Sequence, residues 1–104
     1  MTQVGARVGA ILSANAEEVR LIGYGTYVGS KIPEEAVGWM AEGLREYGVG
    51  NPCIELDSGQ VVYGCECWFG PESRIREMIG GRRVIEVDID QVRANAMEGA
   101  EGSG

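Results

Sequence analysis

The stretch Val19 to Val28 constrains this chain more than any other. It alternates as a strand does, with Arg20, Ile22, Tyr24, Thr26 and Val28 on one face and Val19, Leu21, Gly23, Gly25 and Tyr27 on the other. Glycine inside a strand marks a bulge, a sharp bend or another backbone packed close. Two of them at alternate positions predict a strongly coiled strand in a small barrel-like sheet.

The remaining elements follow from local signals. Val8 to Ser13 reads as a strand ahead of the coiled one, and Ala14 to Glu17 turns the chain. Pro33, Glu34 and Glu35 have the form of a helix start, with proline at the first position and carboxylates in the first turn. Val37, Met40, Ala41 and Leu44 continue at helical spacing, with Trp39 on the flank, Tyr47 near the end and Gly48 as the stop. After Asn51-Pro52, Cys53 to Leu56 is a strand, Asp57-Ser58-Gly59 a hairpin turn and Gln60 to Phe69 the returning strand. Gly70-Pro71-Glu72 opens a second helix with Ile75, Met78 and Ile79 as its apolar stripe and Gly80-Gly81 as its end. Val84 to Ile89 is a last strand, and Asp90 caps a short helical turn through Val92 and Arg93. The expected fold is α+β, a twisted antiparallel sheet of about five strands with two short helices. Residues 1–96 form a single domain, and residues 97–104 a flexible acidic, glycine-rich tail.

Charge and composition exclude several classes of function. Nine basic residues against sixteen acidic ones give a net charge of −7, which disfavours long nucleic acid and anionic membrane surfaces. No run approaches the roughly 20 apolar residues that span a bilayer. Histidine is absent, and with it the usual general base and the commonest metal ligand. Three cysteines are too few for a disulfide-stapled scaffold. Val8 to Ala14, followed by Ala14-Asn15-Ala16, superficially resembles a signal peptide. Its apolar part is interrupted and barely reaches about 7 residues, so it reads as the first strand and places the protein in the cytoplasm.

Gly64-Cys65-Glu66-Cys67-Trp68-Phe69-Gly70 is the densest stretch for chemistry. On one continuous strand, Cys65 and Cys67 point the same way, as two small core side chains or as a thiolate pair for a soft metal. A closed zinc site needs about four ligands, and Cys53 is the only other thiol, so no metal or other cofactor is expected. Asp88 and Asp90 share a strand face, too thin a set for a divalent cation. Trp68 and Phe69 point to opposite sides: either both pack, one on each face of the sheet, or one is left free to stack on a flat base. The basic residues are eight arginines and one lysine, Lys31. Arginine's planar fork suits phosphate and stacks on bases. Arg20 in mid-strand, Arg45 late in the first helix and Arg93 near the end are the placements least like casual surface charge. Phosphate-loop and nucleophile-elbow patterns are both missing, and the chain does not read as an enzyme.

Leu21-Ile22-Gly23-Tyr24-Gly25-Thr26-Tyr27-Val28-Gly29, Asn51-Pro52 and Leu56 through Trp68 resemble small phage-encoded proteins, and in particular the phage Thoeris anti-defence family. The resemblance extends from about Val8 to Arg93. It implies a homo-oligomeric, non-catalytic, β-rich protein of the host cell cytoplasm. Pockets at its subunit contacts would sequester host immune signalling nucleotides of the cyclic ADP-ribose type, or cyclic oligonucleotides. Combined with the residue reading, the candidate ligand-binding set is Arg20, Arg45, Trp68, Phe69 and Arg93. The alternative is a structural or partner-binding oligomeric module without a nucleotide ligand, its interface filled by Trp39, Tyr47 and Trp68.

Overall fold

A computed structural model of the chain describes residues 2–102. It has the expected mixed α+β architecture: an antiparallel sheet with short helices around it. The strands are β1 (Arg7–Ala14), β2 (Glu18–Lys31), β3 (Asn51–Leu56), β4 (Val61–Tyr63), β5 (Trp68–Pro71) and β6 (Arg83–Glu86). The helices are α1 (Trp39–Glu46), α2 (Glu72–Ile79) and α3 (Ile89–Gly102). Five strands run β4-β3-β2-β1-β5, all neighbours antiparallel, and β6 adds in parallel to the start of β2.

β4 and β5 are the two ends of that path, yet only residues 64–67 join them. A flat five-strand sheet is about 19 Å across. The connection includes a 3-10 turn, Gly64–Glu66, which rises only about 2 Å per residue. The sheet therefore curls until its ends approach, and it stays open because no ladder joins β4 to β5. Gly25 permits the tight winding: a Cβ there would lie 2.3 Å from the Glu55 carbonyl oxygen.

The strict alternation expected along β2 does not hold, because the strand is irregular in two places. Gly23 pairs with Ala10 and Leu21 with Ile11, so Ile22 is one residue too many. This bulge exchanges the faces. Tyr24 consequently packs with Val19 and Leu21, while Ile22 and Tyr27 share the other side. A second irregularity against β3, between Tyr27 and Gly29, sends Val28 to a third cluster.

Three apolar clusters result. Val8, Ala10, Ile54, Leu56, Val62 and Ile89 fill the curl, Ile11, Val19 and Leu21 meet Ile75 of α2, and Ala36, Cys53 and Tyr63 meet Ala41 of α1.

Four expectations need correction. The first helix begins at Trp39 and not at Pro33, because Gly38 takes φ 109°, which breaks any helix running through it. Residues 32–38 are an irregular segment whose Ala36 is buried. The strand Gln60 to Phe69 is cut by the 3-10 turn, so Val61, Tyr63 and Cys65 meet one cluster while Cys67 and Phe69 meet another. Cys65 and Cys67 thus do not share a strand face. The last strand stops at Glu86, and Ile89 opens α3, fully buried in the curl. That helix is longer than one turn and includes residues 97–102 of the expected tail; residues 103 and 104 lie outside the described residues. Ala94, Ala96 and Met97 are good helix formers, which accounts for its reach. Among the described residues, no helix is long and apolar enough to cross a membrane.

Candidate functional site

The connection between β4 and β5 builds the first cleft. Gly64 through Phe69, with Leu12 and Met40, line a cavity of about 470 Å³, within the roughly 300–1,000 Å³ of small-molecule sites. The turn is held from both sides. Cys65 N–H donates to Asn51 Oδ1 at 2.7 Å, and Tyr63 N–H donates to Glu66 Oε1 at 3.1 Å. Arg93 on α3 reaches the same carboxylate with Nε at 2.8 Å and Nη2 at 2.8 Å, and Nη2 also donates to the Val61 carbonyl at 2.8 Å. The Glu66 and Arg93 side chains are only 8% and 11% exposed, so the pair is largely buried and bidentate. The Glu66 hydrogen bonds keep the Arg93 guanidinium above its ordinary range.

These contacts also close the outer rim of β4. Val61 C=O is taken by Arg93, Tyr63 N–H by Glu66, and Tyr63 C=O by the Cys67 thiol, whose Sγ lies 3.4 Å away. Main-chain groups that would otherwise template another strand are occupied by side chains.

Of the candidate residues, Trp68 and Phe69 line this cleft and divide as their alternation demands. Phe69 stacks on Tyr27 with ring centroids 6.2 Å apart and packs on the inner core. Trp68 is 75% exposed. Burial and Glu66 push the Cys65 thiol up, more strongly than the charges of Arg45 and Arg93 pull it down. Neither arginine lines the cleft. Arg93 is committed to Glu66, and Arg45 Nη1 donates to the carbonyls of Pro33 at 2.6 Å and Ala36 at 2.7 Å. Arg45 thus pins the 32–38 segment through neutral acceptors. Among the described residues its charge meets no carboxylate within ion-pair distance. Arg20 is exposed on β2 and takes no part in this cleft.

A larger cleft, about 600 Å³, lies where the outer edge of β2 passes from β6 to β3. The Leu21 carbonyl accepts from Val87 N–H and the Tyr24 carbonyl from Asp57 N–H, each at 2.9 Å, so the flanking loops end the two ladders. Asp57, Glu86 and Asp88 stand on the wall. Arg7 grips Asp57 with two hydrogen bonds of 2.7 Å, which holds its carboxyl below the usual range. Gln60 Nε2 donates to Asp88 at 2.7 Å and to Asp90 at 3.0 Å.

The cysteines are poor nucleophiles. All three are free; burial pushes Cys53 and Cys65 up and Cys67 up to about 12, so the thiols stay protonated at neutral pH. Among the described residues, no three Cys, Asp or Glu side chains come together as a metal site. Sequence reading missed Leu12 and Met40 as cleft walls. Met40 sat in the apolar stripe of a helix drawn too long, and it is in fact 48% exposed.

No protein-family model, curated protein or solved structure matches the chain.

Proposed function

We propose that the protein is a non-catalytic binding protein that sequesters a small nucleotide signal of the cyclic ADP-ribose type. It would keep the signal from a host immune effector and so counteract antiviral defence. The observation that carries this reading is the exposed Trp68 indole on a cleft walled by apolar side chains. A flat base stacks on such a ring whatever its sequence identity. The charge of Arg45, held on neutral carbonyls, acts on the cleft residue Cys65 and favours a negatively charged ligand, while Arg93 cancels the charge of Glu66. Sequestration requires slow release and no bond chemistry. That suits a site whose thiols are protonated and whose one lining carboxylate is already paired. The class of ligand comes from the phage-protein resemblance, and an oligomer would bring further arginines to the cleft.

Cyclic ADP-ribose isomers are titrated into the protein by calorimetry, and the bound ligand is then recovered after denaturation. The reading expects saturable heat and unchanged ligand. Converted ligand means an enzyme, and an absence of heat with every isomer removes the proposal.

A further inference from the structure

The outward face of α1 supplies an inference independent of the cleft and of any nucleotide. At 100° per residue, Trp39, Gly43 and Tyr47 fall along one ridge, and Glu42 and Glu46 form a parallel ridge beside it. Tyr47 continues the helical path, since its N–H donates to the Gly43 carbonyl at 3.1 Å. The opposite side of the helix is fixed inward by buried Ala41 and by the anchoring of Arg45. Trp39 is 81% and Tyr47 80% exposed, and both glutamates are exposed.

Among the described residues, no contact accounts for this arrangement. Glu42 and Glu46 are like charges four residues apart, which weakens a helix. Glu46 stands at the helix end that disfavours anions. The helix's one cation is turned the other way, and among the described residues neither glutamate has an ion-pair partner. A locally unfavourable choice beside two exposed aromatic rings indicates a surface kept for a ligand.

We propose that this face docks a basic segment of another protein. Its lysine or arginine side chains lie over the Trp39 and Tyr47 rings and pair with Glu42 and Glu46. Cation–π attraction suits the rings, and opposite charge suits the acidic ridge. A second copy of this chain is the poorer occupant. A two-fold contact sets the same patch against itself and so brings the glutamate ridges together.

The test uses a fluorescein-labelled amphipathic lysine/leucine peptide and its glutamate/leucine counterpart, followed by anisotropy. The lysine peptide binds saturably and the glutamate peptide does not. Trp39→Ala weakens binding about tenfold, as loss of a central aromatic contact does, and Trp39→Phe restores most of it. The double variant Glu42→Lys/Glu46→Lys weakens binding at least as much. Glu17→Lys/Glu77→Lys, which makes the same charge change at exposed positions elsewhere, stays within about twofold of the unaltered protein. Equal weakening by that control reduces the effect to bulk charge and overturns the proposal, as does the absence of saturable binding. A dimer in sedimentation that Trp39→Ala dissociates assigns the face to a second copy, which also overturns it.

Discussion

In the 600 Å³ cleft beside β2, Asp57 and Asp88 already accept hydrogen bonds from Arg7 and Gln60, while Glu86 has no hydrogen-bond or ion-pair partner among the described residues. The 470 Å³ cleft at Gly64–Phe69 reverses this: its single carboxylate is paired, and its aromatic ring is the free group. Size alone favours the first. Available chemistry favours the second, because a ligand gains most from groups that the fold has not already used.

The strongest way to break this contrast is to strike the pair that holds the smaller cleft. Arg93→Met strands a largely buried carboxylate; removing one partner of a fully buried pair destabilises by about 3–5 kcal/mol, and this partly buried pair sets a loss toward or below the lower end. The melting temperature should drop steeply, and adding Glu66→Gln should recover part of the loss. A smaller effect comes from the other side. Gly25→Ala forces a methyl group against the β3 backbone beside Leu56, a wall of the larger cleft. Overpacking of this kind costs about 1–3 kcal/mol, and thermal unfolding should show it.

Trp68→Ala sharpens the contrast without disturbing the fold. Its ring is exposed, so the melting temperature should hold while nucleotide affinity falls about tenfold or more, the loss expected from one base–aromatic stack. Asp57→Asn should leave that affinity unchanged.

Titration separates the two regions again, with opposite signs. Burial raises the Cys67 thiol, so its contribution is complete below the unfolded value near 8.5. It is lost as the pH rises toward about 12. Asp57 and Glu72 are lowered, Asp57 chiefly by Arg7 and Glu72 by Arg76 and then Arg7. Their contribution is complete above the ordinary carboxylate range near about 4 and is lost as acid protonates the folded state. Unfolding curves across pH should show Cys67→Ala flattening the alkaline limb and Arg7→Gln the acid one. A response of the acid limb to Cys67→Ala contradicts this assignment.

Much of the sheet was legible because local pattern and tertiary demand agree there. The paired glycines of β2 indicated a coiled strand, and the Asp57-Ser58-Gly59 turn set the β3–β4 hairpin. The 3-10 turn after Tyr63 was not legible, since alternation continues through it in the sequence. What breaks the strand is Asn51 on Cys65 and Arg93 on Glu66, contacts 14 and 27 residues apart. The same limit applies to the candidate site. Strand geometry sends Trp68 and Phe69 to opposite sides, but it does not say which of the two stays exposed; the structure leaves Trp68 out and packs the half-buried Phe69 on Tyr27. Arg45 and Arg93 were expected among the ligand-binding residues, and in the structure their hydrogen bonds go to the chain itself. Burial of an arginine and exposure of one to a ligand leave the same trace in a sequence.

The side-chain closure of β4 has a consequence for crowding. Head-to-tail stacking of sheets into an endless ribbon requires a receptive margin at each end of the strand path, and here one margin is already occupied. A second copy therefore finds no strand edge to extend at β4, and an endless ribbon cannot grow through that margin.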